Sequence, residues 1–237
     1  MQDSRIAARG LVLLGCGKMG SALLAGWLER GLPASSVWVI DPAPSFWVRS
    51  TGVQINADLP DDPAIVLLAV KPQMMGDALP AIAGFAGGDT VFVSIAAGTP
   101  LAAFEAVFGA DSPIVRSMPN TPAAIGRGIT AICANAPGQN ALKEAADLLS
   151  AVGDVVCLDS EAQMDAVTGV SGSGPAYVFH LIEAMAAAGE AQGLSPDLAM
   201  QLAKATVAGA GALAMAAEED PGQLRRNVTS PNGTTQA

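Results

Sequence analysis

Three groups of residues in this chain have types and spacing that could do chemistry. The first is GCGKMG, Gly15 to Gly20, directly after the apolar run Leu11 to Leu14. A glycine loop between a strand and a helix can cradle a dinucleotide. Gly15 permits the sharp turn, Gly17 lets the backbone approach the pyrophosphate, and Gly20 lets helix and strand pack closely. Lys18 adds positive charge beside the loop. The second is Asp41, which ends VWVID about twenty residues beyond the last glycine, where such folds hold the adenosine ribose. Its carboxylate accepts bonds from a free 2′-hydroxyl and repels a 2′-phosphate, which favours NADH over NADPH; the competing reading is a simple turn acid before Pro42. The third is NVTSPNGTTQA, Asn227 to Ala237. There the amides of Gly233, Thr234 and Thr235 could converge on a carboxylate as an anion nest, or merely form a turn.

The elements around these residues explain the assignment. After the glycine loop, Leu23, Leu24, Trp27 and Leu28 recur at helical spacing, and Gly31 stands where a C-terminal cap would be. Further apolar strands follow in AIVLLAVKP (Ala64 to Pro72), TVFVSIAAG (Thr90 to Gly98) and SPIVRSMPNTP (Ser112 to Pro122). Thr99 is the expected cap of the helix after the second of these. GITAIC and DVVCLD close the sheet around a helix from about Pro137 to Ala151. Ligands of an open parallel sheet lie beyond the carboxyl ends of its strands, so Ala69, Val70, Lys71 and Pro72, together with Ala96, Ala97 and Gly98, are expected beside the cofactor. Residues 1–160 therefore read as an α/β, Rossmann-type dinucleotide-binding domain.

From Glu161 the pattern changes to two long helices with no strand between them, the second opened by the cap pair Ser195 and Pro196. Small residues at Ala184, Ala188, Ala208 and Gly211 would let helices approach closely. Residues 161–237 thus read as an all-α dimerisation domain, too thin to stand alone. VTGVSGSGPAYVFH, Val167 to His180, is a second glycine-rich loop, but it follows no strand and reads poorly as a phosphate cradle. His180 lies in an apolar helical pattern and is given no role.

Composition narrows the partners. Twelve basic against 22 acidic residues give a net charge of −10, with no basic run, so nucleic acid and anionic membrane fit poorly and a small molecule fits well. Leu198 to Ala217 is long enough to span a bilayer. Gln201 and Lys204 interrupt it, however, and alanine inserts weakly, so a helix buried in an oligomer interface is the better reading. The N-terminus shows no cleavable apolar region. Cys16, Cys133 and Cys157 form no CxxC pair and His180 is the single histidine, which points to a reducing, cytoplasmic setting and no His/Cys-rich metal site.

Taken together, LLGCGKMG, LAVKPQ, SIAAG, RSMPNTP, DAVTGVSGSGPAY, PGQL and NVTSPNGTT resemble the pyrroline-5-carboxylate reductases, in that family's order and over nearly the whole length. The resemblance implies hydride transfer from NADPH or NADH to the C=N carbon of 1-pyrroline-5-carboxylate, giving L-proline without a metal. It places Gly15, Cys16, Gly17, Lys18 and Met19 on the dinucleotide, with Asn56, Ala69 to Lys71, Ala96, Ala97 and Asn227. It places Glu161, Thr168 and Val228 beside the substrate. The loop Ser230 to Thr235 would hold the carboxylate, with Thr235 orienting or protonating the ring nitrogen. The family also implies homodimers that assemble further, up to a decamer. On this reading VTGVSGSGPAY is one wall of the proline pocket, with Gly172 and Gly174 passing near nicotinamide and substrate.

The chain departs from the family in three ways. Asn232 stands where a glycine is usual, the chain stops at Ala237 about a helix or two before such enzymes usually end, and Asp41 favours NADH in a family that mostly favours NADPH. Two other functions compete. A β-hydroxyacid dehydrogenase would carry a lysine one turn into the helix after the second glycine loop, where this chain has Tyr177 and Val178. A non-catalytic NAD(P)-binding protein would bind the cofactor without turnover.

Overall fold

The computed structural model describes residues 4–230 and 233. The chain divides into two compact units, Met1–Pro175 and Ala176–Ala237. The strands of the first are β1 (Leu11–Leu14), β2 (Val37–Ile40), β3 (Gln54–Ile55), β4 (Ile65–Leu68), β5 (Val91–Ser94), β6 (Ile114–Met118), β7 (Gly128–Ala134) and β8 (Gly153–Cys157). They form one sheet in the order β3-β2-β1-β4-β5-β6-β7-β8, parallel throughout except where β6 meets β7. The central strands are buried on both faces, as continuous apolar runs require.

Alternation along each strand divides the core into two layers. Leu11 and Leu13 of β1, with Ile65 and Leu67 of β4, pack with Trp27 and Leu148 on one face. Val12 and Leu14, with Val66 and Leu68, pack with Phe92, Phe104 and Phe108 on the other. The helices of this unit are α1 (Arg5–Arg9), α2 (Lys18–Glu29), α3 (Phe46–Ser50), α4 (Met75–Ala78), α5 (Leu101–Phe108), α6 (Leu142–Leu149) and α7 (Met164–Val167). The buried Trp27 indole donates to Leu148 O at 2.9 Å, fastening α2 to α6.

Several local features differ from the sequence reading. Thr99 does not cap α5; Pro100 occupies the cap position without a side-chain bond, and Glu161 accepts from the Leu101 amide instead. The glycine-rich run after Val167 is not an open loop but a π-helical turn, Thr168–Gly172, closed by Ser173 N donating to Thr168 O at 2.8 Å. A wide turn of this kind absorbs an extra residue within a helix and is frequent at functional sites.

The second unit holds α8 (Gly174–Ala191, which starts at the end of the first unit), α9 (Pro196–Ala216) and α10 (Pro221–Asn227). Ser195 caps α9 with Pro196 at its first position. The reading of two helices missed α10, which Asp220 caps by accepting from Gln223 N at 3.0 Å. Small residues, Ala186, Ala199 and Ala203, supply the buried cluster of this unit, while Tyr177, Phe179, Leu181, Leu198, Leu202 and Leu213 are exposed. Among the described residues α9 is the one helix long and apolar enough to cross a membrane.

Candidate dinucleotide and substrate site

Strand register brings the candidate residues to one edge of the sheet. Leu14 lies beside both Ile40 and Leu68, Leu68 beside Ser94, and Ser94 beside Arg116. The residues that follow, Gly15, Asp41, Ala69 and Ile95, are therefore aligned at the carboxyl ends of four parallel strands. Gly15 N donates to Ile40 O and Ala69 N to Leu14 O, both at 2.8 Å, so the first turn of each loop is fixed by its neighbour.

The glycines of the first loop separate by function. Gly15 has φ +87°, and a Cβ there would meet Val70 Cγ1 at 2.8 Å. A Cβ on Gly20 would meet Gly15 O at 2.6 Å, which is the close helix–strand packing expected of it. At Gly17 a Cβ would meet nothing within 4 Å. Gly17 is also the N-terminal cap of α2, with no side-chain cap and no acidic residue in the first turn. The fold makes no demand for a bare backbone at Gly17, and the open helix terminus suits the pyrophosphate of a dinucleotide. Gly17 and Lys18 are exposed and Met19 half-buried beside them, while Cys16 is buried. Burial pushes the Cys16 thiol up, a shift partly offset by its hydrogen bond with Ser21 and reinforced by the Asp41 charge.

Asp41 does more than wait for a ribose. Its Oδ2 accepts from the Cys16 amide at 2.7 Å and its Oδ1 from the Ala43 amide at 2.8 Å. The Asn56 side chain in turn brackets the Asp41 peptide, accepting from its amide at 3.0 Å and donating to its carbonyl at 2.8 Å. Asn56 itself sits at φ +49°, where asparagine is well tolerated. Beyond β4 and β5, Val70 is half-buried and Lys71, Pro72 and Ala97 are exposed, with Ala96 buried and its amide donating to Ser94 Oγ at 3.1 Å.

On the far side of the same edge lies an ion pair that the sequence reading did not single out. Arg116 Nη1 donates to Glu161 Oε1 at 2.6 Å, and the same oxygen accepts from Leu101 N at 2.8 Å. The Arg116 side chain is 8% exposed and that of Glu161 31%. Removing one partner of a fully buried pair costs about 3–5 kcal/mol, and less where, as here, one carboxylate keeps some water. A charged residue inside a buried, mostly apolar strand was the available signal. Cys133 lies on the neighbouring β7 opposite Arg116; burial and the Glu161 charge push its thiol up, against the opposing effect of Arg116.

Thr168 is half-buried and its hydroxyl donates to Met164 O at 2.9 Å, which leaves its oxygen free to accept. The buried Asn120, also missed in the sequence, ties the π turn down by donating to Ser171 O at 3.1 Å and accepting from Ile129 N at 3.0 Å. Gly172 meets Met118: a Cβ would lie 2.6 Å from its Cε.

In the second unit Asn227 closes α10 and its Oδ1 accepts from Gln223 Nε2 at 2.6 Å, while Val228 is exposed. Gly233 N donates to Ser230 O at 3.0 Å. One of the three amides expected to converge on an anion is thus already used within the turn. Thr234 and Thr235, with the other two, lie outside the described residues, as does Asn232. Among the described residues there is no cluster of three metal-ligating side chains.

Comparison with known proteins decides the family. Residues 10–98 match the family model described as NADP oxidoreductase coenzyme F420-dependent, and residues 161–237 the one described as pyrroline-5-carboxylate reductase dimerisation. Over 234 residues the chain is 44% identical to the pyrroline-5-carboxylate reductase of Pseudomonas aeruginosa, an alignment covering 96% of this chain and 86% of that one. The chain belongs to the pyrroline-5-carboxylate reductase family. Solved reductases of that family share its fold. That of Coxiella burnetii superposes with a TM-score of 0.88 at 31% identity, covering 96% of this chain and 87% of the other. That of Plasmodium falciparum, solved with NADP bound, gives 0.83 at 29%, covering 96% and 86%.

Proposed function

We propose that this reductase-family chain converts 1-pyrroline-5-carboxylate to L-proline, the last step of proline biosynthesis, using NADH or NADPH. When bound, the dinucleotide supplies a hydride from nicotinamide C4 to the C=N carbon. The observation that carries the reading is the hydrogen bond from the Leu101 amide to the Glu161 carboxylate. It fixes a residue assigned to the substrate against the helix that follows the cofactor-side loop Ala96–Gly98, at the same sheet edge as the glycine loop. Gly15 to Met19 would hold the pyrophosphate, and Ala69 to Pro72 with Ala96 and Ala97 would flank the nicotinamide half. Asn227 is assigned to the cofactor. A cyclic imine then needs an anion site for its carboxylate, a partner for its ring nitrogen and walls that exclude water. Ser230, Gly233 and Thr234 are assigned the carboxylate, Thr235 the nitrogen, and Glu161, Thr168 and Val228 the walls.

Asp41 supports use of NADH at least as well as NADPH. Its carboxylate is held in place by two backbone amides, and among the described residues no basic side chain is bonded to it. A ribose hydroxyl can still donate to its remaining lone pairs, whereas a 2′-phosphate meets a fixed negative charge.

The exposed apolar faces of α8 and α9, together with the match to a dimerisation model, support a homo-oligomer built on dimers, for which a decamer is the larger assembly proposed. The three cysteines are free, which supports the cytoplasm as its place of work. The division of labour proposed is a dinucleotide-binding domain over 1–160 and a dimerisation and substrate domain over 161–237.

Oxidation of NADH and NADPH with pyrroline-5-carboxylate, measured for the wild type and Thr235→Ala, tests the reading. Substrate-dependent oxidation that drops in the variant supports it; unchanged turnover in Thr235→Ala removes that residue from the chemistry.

A further inference from the structure

We infer that Arg116 is a positioning residue for substrate binding: it holds the Glu161 carboxylate so that one oxygen braces the scaffold and the other is left for the substrate. Arg116 lies inside β6, in register with Ser94 and, through it, with Leu68 and Leu14, the last residues of their own strands. A guanidinium buried there needs a charged partner. It finds one in Glu161 Oε1, and the same oxygen takes the Leu101 amide. Both scaffold donors thus converge on one atom, while Oε2 accepts no hydrogen bond from the described residues. Glu161 is the point where two segments are joined. Leu101 opens α5 directly after the loop containing Ala96 to Gly98, and Glu161 opens the segment containing Thr168.

A carboxylate with only the Leu101 amide would turn about its terminal torsion and offer either oxygen outward. The bond from a buried arginine removes that freedom, because the strand fixes the origin of the guanidinium and the charge strengthens the contact. The inference rests on the proposed reduction, in which Glu161 lines the substrate.

The test compares wild type, Arg116→Gln, Arg116→Lys, Glu161→Gln and the double variant Arg116→Gln/Glu161→Gln. The readouts are the KM for pyrroline-5-carboxylate and the Kd for NADH by fluorescence. The expected result is a substrate KM raised about tenfold in Arg116→Gln, the size of one charge-assisted contact. The NADH Kd stays within about twofold, since no dinucleotide contact is lost. Arg116→Lys recovers part of the loss by keeping the charge without the fork, and the double variant is no worse than the poorer single. The inference is overturned by an unchanged substrate KM with only a lowered melting temperature, by an equal loss of NADH binding, or by single effects that multiply in the double variant. Should Arg116→Gln not fold, Arg116→Lys decides alone, since an unchanged substrate KM there also overturns it. A wild type without turnover overturns the function and this inference together; an active wild type with multiplying effects overturns the inference alone.

Discussion

The carboxylate of Asp41 accepts a hydrogen bond from the amide of Cys16 at 2.7 Å, so the acid at the end of the second strand is part of the glycine loop as well as its neighbour. Asp41→Ser removes both that tie and the negative charge. Without the charge, the ratio of kcat/KM with NADPH to that with NADH should rise about tenfold, the equivalent of roughly 1.4 kcal/mol. Steady-state kinetics with each cofactor measures it, and an unchanged ratio would show that Asp41 does not discriminate.

Gly17 separates ligand from fold. A methyl group there meets no atom within 4 Å, so Gly17→Ala should cost only what alanine costs at a helix N-cap, about 1 kcal/mol, and lower the melting temperature by no more than about 4 °C. Dinucleotide affinity should nonetheless fall at least tenfold, because the methyl occupies space the pyrophosphate would use. Calorimetric titration with NADH and a thermal scan on the same sample check both halves.

These two positions also show why the sequence was readable in one place and not in another. The glycine loop, the strands and Asp41 are local signals: periodicity, spacing and a residue order that a strand, a turn and a helix impose on a short window. Glu161 as the cap of α5 is not local, since its partner Leu101 lies 60 positions away. Thr99 offered a plausible cap in the right place, and tertiary structure chose another. The π turn at Thr168–Gly172 was hidden by its composition, because glycine and serine there read as a loop, while backbone closure and Asn120 keep it helical. α10 was legible and overlooked: Asp220 before Pro221 is a cap followed by a first-turn proline. In Arg116 the type of residue was visible, but its partner was not.

Thiol reactivity should follow burial. Cys16 and Cys133 are buried and their thiols are pushed up, so the reactive thiolate is scarce at neutral pH and becomes available only above the ordinary thiol range. Cys157 is exposed. Mass spectrometry after brief alkylation of the native protein at pH 7 should find Cys157 modified first, with Cys16 and Cys133 gaining label as pH rises. Early modification of Cys16 would contradict this burial order.

The apolar faces of the second unit predict association. Leu198 and Leu202 are exposed one turn apart on α9 and present a stripe that water alone should not cover. Leu202→Glu should shift the protein toward monomer in analytical ultracentrifugation at micromolar concentration. A wild type that sediments as a monomer, or a variant that assembles equally well, would remove α9 from the interface.

The central claim is hydride delivery to a cyclic imine, and isotope transfer tests it most directly. Incubation with pyrroline-5-carboxylate and NADH deuterated at nicotinamide C4, on the face from which hydride leaves, should give L-proline carrying one deuterium at the ring carbon that was the imine carbon. Both faces should be tried. The account predicts label from one of them. Bound NADH with no proline formed, or proline free of deuterium from either face, would contradict it.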